Sequence, residues 1–217
     1  MNKQLYLNMF LSKWIWYFGM SVIFINLFTT IFISDYKEVL MPFIDLLNII
    51  AVLYTTSSYL SIHHMMKQDG NHHFYFSLPN TKRNIITGDY LYYILMMALT
   101  TAIFGSYMTL TQTTYYAYGF VMLMGISLIM MSFYYLGFAK YWLRYLFTGY
   151  FIYGVPMVLT WLFHFMPLVN ISQMDKNMPG MNFYLYHLPV YTIVFAIMLL
   201  ILSYVINLQN IRKYDMA

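Results

Sequence analysis

The sequence contains no cysteine and very little charge. The lack of cysteine in its 217 residues excludes disulfide bonds, a thiol nucleophile and a thiolate metal site. Only 8% of the residues are charged and 61% are hydrophobic, whereas a soluble domain has about 25% charged and about 45–50% apolar residues. Because charged side chains belong at the water boundary, a soluble chain with so few of them could not cover its surface. The composition therefore predicts an integral membrane protein without a soluble catalytic domain.

Motifs for common active sites are also missing from the sequence. It has no G-x-x-x-x-G-K-[ST] phosphate loop, which excludes ATP hydrolysis at such a loop. It also has no H-E-x-x-H motif, which excludes zinc catalysis at that motif. The segment Gly125–Ile129 resembles a serine nucleophile elbow but lacks its closing glycine. A net charge of +4 without a basic run gives no reason to expect nucleic-acid binding. We expect a chain that is not itself an enzyme and holds no cofactor.

Six apolar stretches are long enough to cross the bilayer as helices, since about 20 residues span about 30 Å of hydrocarbon. They predict an all-α membrane protein made of a single transmembrane domain. The predicted spans are 14–33, 42–62, 91–110, 117–139, 145–166 and 188–208.

Basic residues predict the orientation of these spans. With the N-terminus inside, nine of the 11 Lys and Arg residues lie on the cytoplasmic side and only Lys37 and Lys176 lie outside. This is the bias expected for inner loops, so both termini are predicted to be cytoplasmic.

Three segments lie outside the predicted spans and are long enough to have a function of their own. Residues 63–90 form a cytoplasmic loop and residues 167–187 an extracellular loop. In residues 1–13, Gln4, Asn8 and Ser12 recur every fourth residue and make a polar stripe on an apolar helix. That pattern suits a helix lying in the membrane interface, and it equally suits the first turns of the first span.

A few residues within the spans are candidates for a pathway, a gate or a packing seam. Asp45 and His164 are ionisable, which is unusual inside a membrane, although both can reach the headgroup layer. Pro156 predicts a kink that could serve as a hinge. Small residues line two adjacent stripes of the third span and predict close packing with another helix of the chain or with another subunit. The two stripes are Ala98, Ala102, Ser106 and Thr101, Gly105, Thr109.

The inner loop holds the most distinctive segment of the chain. It contains two histidine pairs, His63-His64 and His72-His73, but nothing in the sequence fixes a metal-binding geometry, and we predict no metal site. Phe74, Tyr75, Phe76 and Leu78 form a short aromatic segment beside charge and histidine, a pattern that marks a protein contact. Pro79 ends this segment, and Asn80 or Thr81 can cap a helix that runs into the third span.

The pattern Ser77-Leu78-Pro79-x-x-Lys82-Arg83-x-Ile85-Ile86-x-Gly88-x-Tyr90-Leu91 resembles a loop of the permease subunits of type-2 ATP-binding-cassette exporters. The basic residue of that loop corresponds to Lys82 or Arg83, so its register differs slightly. The layout of six spans, cytoplasmic termini, a long first inner loop and a long last outer loop is similar as well.

The resemblance implies the type-2 exporter permease fold and a set of partners. The inner loop would be a coupling helix docked on a separate ATPase subunit, which binds ATP and Mg²⁺, and two permease subunits, identical or different, would frame one pathway. The cargo would be hydrophobic or amphipathic, either peptides such as phenol-soluble modulins or antimicrobial peptides, or a lipid-like molecule. It would be exported across a bacterial cell membrane. The residues implied in the ATPase contact are Asp69, His72, His73, Phe74, Tyr75, Phe76, Leu78, Pro79 and Arg83.

Two other classes of protein fit the sequence. A membrane immunity or sensor protein would bind antimicrobial peptides without transporting them. An intramembrane enzyme would use Asp45, His164 or the inner histidines, but these residues share no catalytic motif.

Overall fold

The computed structural model describes residues 3–32, 37–60, 82–113, 116–138, 146–169 and 180–215. Nearly all of these residues are helical, and none of them is in a β-strand, which confirms the all-α prediction for the described part of the chain. The chain divides into two compact units, Met1–Thr113 and Thr114–Ala217.

The N-terminal unit is built around its longest helix. Its helices are α1 (Lys3–Leu11), α2 (Lys13–Phe32), α3 (Lys37–Thr56) and α4 (Lys82–Thr111). The first three all pack against α4. A turn at Ser12 separates α1 from α2, so the N-terminal segment is a helix of its own.

The C-terminal unit pairs two long helices, α5 (Tyr116–Phe138) and α8 (Leu188–Asp215). Four shorter elements separate these two helices along the chain. They are α6 (Leu146–Thr160), a π-helical turn (Trp161–Phe165), α7 (Met166–Val169) and a second π-helical turn (Phe183–His187) that leads into α8. Contacts of α5 with α6 and with both π-helical turns complete this unit.

Five helices among the described residues are long and apolar enough to cross a membrane: Lys13–Phe32, Val39–Thr56, Arg83–Thr111, Tyr116–Leu136 and Phe183–Asn210. Many apolar side chains on them point outward, for example Phe24, which is 67% exposed. Contact of such an apolar surface with water is unfavourable, whereas lipid can cover it. The chain is therefore a multi-pass membrane protein.

The predicted span 145–166 is not among these five helices. Its α-helical part, α6, has only 15 residues. The backbone stays helical through the π-helical turn, since Thr160 and Met166 at its two ends have right-handed helical angles, and it ends at Val169. A sixth crossing remains a prediction.

Two helix starts differ from the predicted boundaries. The second span was predicted to begin at Pro42, but α3 begins at Lys37 and contains Pro42. A proline near a helix start removes only one backbone hydrogen bond, so the helix continues past it. The third span was predicted to begin at Leu91, but α4 begins at Lys82. The predicted inner loop therefore ends in the first turns of a membrane helix.

Glycines allow helices of each unit to approach closely. A methyl group on Gly19 of α2 would lie 3.0 Å from Leu99 Cδ2 of α4. In the C-terminal unit, a methyl group on Gly125 of α5 would lie 2.9 Å from Thr192 Cγ2 and 3.2 Å from the backbone nitrogen of Ile193. Small residues at such contacts let helix backbones pack tightly in membranes.

Replacing Gly125 with alanine should destabilise the C-terminal unit. The added methyl group would contact the backbone of α8, which cannot rotate away as a side chain could. We therefore expect the free energy of unfolding to fall by about 1–3 kcal/mol. Gly154→Ala is the matched control, because a methyl group there has no atom within 4 Å, and it should be neutral or stabilising by up to about 1 kcal/mol. Denaturant titration in mixed micelles measures both changes. Equal stability of the two variants would contradict the close α5–α8 contact.

Candidate functional site

A buried aspartate lies about two turns into α4. Asp89 is only 6% exposed and accepts hydrogen bonds from two side chains of α1. Asn8 Nδ2 donates to Asp89 Oδ1 at 2.7 Å, and Gln4 Nε2 donates to the same oxygen at 3.1 Å. We call Gln4, Asn8 and Asp89 the α1 clamp, because they join α1 to the start of α4.

The spacing of the polar residues on α1 explains how both reach one carboxylate. Residues four apart lie above one another on a helix, so Gln4 and Asn8 share a face, and Gln4 Nε2 also donates to Asn8 Oδ1 at 3.0 Å. Ser12 continues this face and donates to the backbone oxygen of Asn8 at 2.8 Å. All three side chains are buried. The polar stripe of α1 therefore faces α4 and not water, and the position of α1 in the membrane interface stays a prediction.

Gly88 brings the two helices close enough for these hydrogen bonds. A methyl group at this position would lie 2.6 Å from both Cβ and Cγ of Gln4 and 3.1 Å from the backbone nitrogen of Leu5. The backbone of α4 therefore touches α1 directly, beside Asp89. Leu5, Leu7, Met9 and Leu11 pack against the buried cluster that contains Ile85, so apolar contacts flank the clamp.

The clamp has a mechanical consequence. A hydrogen bond to a charged group contributes about 1.5–3 kcal/mol, and a buried carboxylate that loses its donors is strongly unfavourable. Because Asp89 receives two donors from α1, α1 and the start of α4 should move together. The predicted coupling loop joins α4 immediately before this point.

A second polar cluster ties α4 to α2 and α3. Asn26 and Asn48 exchange two side-chain hydrogen bonds of 2.9 Å, and Asn26 Nδ2 also lies 2.9 Å from Ser106 Oγ. All three residues are buried. Such interhelical hydrogen bonds contribute about 0.6 kcal/mol each in membrane proteins, so this cluster fixes helix packing.

Asp45, a predicted pathway residue, has a partner within the N-terminal unit. The Tyr107 hydroxyl of α4 donates to Asp45 Oδ1 at 2.8 Å, and Asp45 is partly buried. This contact gives Asp45 a packing role between α3 and α4. Its part in a transport pathway stays a prediction.

The small-residue stripes of α4 face largely outward. Ser106 is buried in the asparagine cluster, but the other five predicted packing residues are exposed. A methyl group on Gly105 would meet no atom within 4 Å. These five positions therefore face away from the helices packed around α4, and their contact with a second subunit stays a prediction. They are Ala98, Thr101, Ala102, Gly105 and Thr109.

The remaining predicted site residues fall at three places. Arg83 is exposed in the first turn of α4. Pro156 lies inside α6, where Thr160 Oγ1 donates to its carbonyl oxygen at 2.7 Å, and His164 is buried in the first π-helical turn. The other predicted ATPase contacts lie outside the described residues. They are Asp69, His72, His73, Phe74, Tyr75, Phe76, Leu78 and Pro79.

Comparisons with known proteins found no match for the chain. No family model matches it, and neither does any curated protein or solved structure. The proposed function therefore rests on the residues and geometry of the chain itself.

Sequence reasoning missed Asp89, because it placed this residue in the inner loop. The signal that could have found it is the four-residue spacing of Gln4, Asn8 and Ser12. A polar stripe in so apolar a segment needs a buried polar partner when it does not face water, and Asp89 is a carboxylate close to the membrane in the same half of the chain.

Removing one donor of the α1 clamp should loosen α1. In Asn8→Leu the Asp89 carboxylate loses its shorter hydrogen bond, and we expect a loss of about 1.5–3 kcal/mol. Hydrogen exchange in detergent should show faster exchange of the α1 amides. The triple variant Gln4→Leu/Asn8→Leu/Asp89→Leu should recover much of the loss, because it removes the buried carboxylate together with both of these donors.

Tyr6→Leu is the control for the clamp variants, because Tyr6 lies on α1 but is 58% exposed. It should leave the exchange of the α1 amides unchanged. Exchange in Asn8→Leu equal to that in Tyr6→Leu would contradict the clamp.

Proposed function

We propose that this chain is the transmembrane permease subunit of a type-2 ATP-binding-cassette exporter. It crosses a bacterial cell membrane six times and pairs with a second permease subunit, identical or different. A separate ATPase docks on the cytoplasmic loop 63–90 and supplies the energy. The cargo is hydrophobic or amphipathic, with short peptides as the main class, and it moves outward.

The α1 clamp is the observation that supports this proposal. A coupling loop can drive transport only when its motion reaches the spans as a whole. The 30-residue α4 begins at Lys82, within the last part of the range 63–90, and Asp89 joins it there to α1. A push on the loop is therefore applied to α1 and α4 together.

Polar contacts farther along α4 carry the same motion to α2 and α3. Thr100 Oγ1 donates to Thr55 Oγ1 of α3 at 2.8 Å, and Ser106 joins the asparagine cluster that reaches both helices. ATP binding would close the ATPases and shift this group of helices as a rigid body.

Alanine at both Phe74 and Phe76 should uncouple the ATPase. Buried aromatic residues at interfaces often contribute 2 kcal/mol or more, so losing one should weaken docking by about 30-fold. The ATPase encoded beside this chain is purified with it and placed in lipid, and ATP turnover is measured with and without the permease. The wild-type chain should change turnover, and Phe74→Ala/Phe76→Ala should abolish most of that change.

Phe24→Ala is the control for this experiment, because Phe24 is an exposed residue of α2 and lies outside the loop. It should behave as the wild type. An ATPase that neither co-purifies with the wild-type chain nor changes its turnover in the presence of the chain would contradict the exporter function.

A further inference from the structure

His164 is a buried polar side chain without a hydrogen-bond partner. It lies in the π-helical turn Trp161–Phe165 and is 2% exposed. Neither Nδ1 nor Nε2 of its ring has a hydrogen-bond partner, and the same holds for the indole Nε1 of Trp161 in the same turn. Buried side-chain polar atoms are nearly always paired in proteins, so packing alone does not account for a histidine here.

Tyr184 of the second π-helical turn packs against this histidine. Its ring lies edge-on to the His164 ring, with centroids 5.1 Å apart, and its hydroxyl donates a hydrogen bond to the backbone oxygen of Phe163. Single π-helical turns within helices occur frequently at functional sites. Here one such turn carries His164, and the other carries Tyr184, which packs against it.

The chemistry of the unpaired ring narrows the class of ligand. A neutral imidazole offers one N–H donor and one nitrogen acceptor. A carboxylate or phosphate only accepts and an ammonium group only donates, so each would leave one ring nitrogen unpaired. A peptide amide both donates and accepts. Apolar side chains beside His164 suit the apolar side chains of such a ligand, since Leu162, Phe163 and Phe183 are all exposed.

We infer that His164 is the polar contact of a cargo-binding site that takes the backbone amide of an amphipathic peptide. In this proposal Tyr184 closes the site, and its hydrogen bond to Phe163 is broken when the peptide enters. The ligand class rests on the proposed export of peptides, whereas the position of the site rests on the unpaired ring nitrogens.

Peptide binding to the full chain tests this site. The chain is placed in lipid nanodiscs, and binding of a fluorescein-labelled amphipathic peptide of about ten residues, too short to form a stable helix, is measured by anisotropy against empty nanodiscs. His164→Phe removes both polar atoms but keeps a ring, so the Kd should rise about 5- to 100-fold, as expected for one or two lost hydrogen bonds. His164→Gln keeps a donor and an acceptor and should stay within about threefold of the wild type.

The same variant should change stability in the opposite direction. Since His164→Phe replaces unpaired polar atoms with apolar ones, it should raise the Tm while it weakens peptide binding. A residue with only a packing role would not give this combination. His187→Phe is the matched control, because His187 belongs to the other π-helical turn and is exposed. It should leave peptide binding unchanged.

Three results would overturn the site: no saturable binding above empty nanodiscs, unchanged affinity in His164→Phe, or a lower Tm in that variant. Failure of the exporter function is a separate result, seen in the ATPase assay. A chain that binds the peptide through His164 but never affects an ATPase would keep the site and refute the exporter. Normal ATPase coupling with unchanged peptide affinity in His164→Phe would refute the site alone.

Discussion

The buried carboxylate of Asp89 is the constraint on which the N-terminal unit depends. A carboxylate away from water needs hydrogen-bond donors close to it, and α1 supplies two from one face, Gln4 and Asn8. That requirement fixes the position of α1 against α4 and explains why the polar stripe is buried. It also explains Gly88, since any side chain there would push α1 away from Asp89.

Other polar side chains farther along α4 also form hydrogen bonds to neighbouring helices. Thr100 binds Thr55, Ser106 joins the asparagine pair, and Tyr107 donates to Asp45. A 30-residue helix is about 45 Å long, so α4 is long enough to cross the membrane. Each neighbouring helix is joined to it by polar contacts and by apolar packing. We therefore interpret α4 as the element that carries motion from the inner loop into the membrane.

The membrane class and most of the helices could be predicted from the sequence, because apolar stretches of about 20 residues have no other common explanation. The polar stripe on α1 indicates that a buried polar partner exists, but the sequence does not identify that partner as Asp89. The residues of the clamp are 81 and 85 positions apart in the chain, and no local pattern encodes such a pairing. The pairing of Asn26 with Asn48 could not be predicted for the same reason, since the sequence around a single asparagine in a span does not indicate its partner. Asp45 and His164 were found as ionisable residues, but only the structure distinguishes a hydrogen-bonded carboxylate from an unpaired imidazole.

In the proposed exporter, α1 and α4 move as one body when the ATPase changes state. The chain has no cysteine, so spin labels can be placed at Tyr6→Cys on α1 and Thr109→Cys at the far end of α4, both at exposed positions. Pulsed electron paramagnetic resonance would measure the distance between the two labels with the partner ATPase bound. The protein would be diluted with unlabelled chain, and spectra would be recorded with and without ATP. We expect one narrow distance that is the same in both states and broadens in Asn8→Leu. A distance that changes with ATP while the clamp is intact would contradict the rigid coupling of α1 to α4.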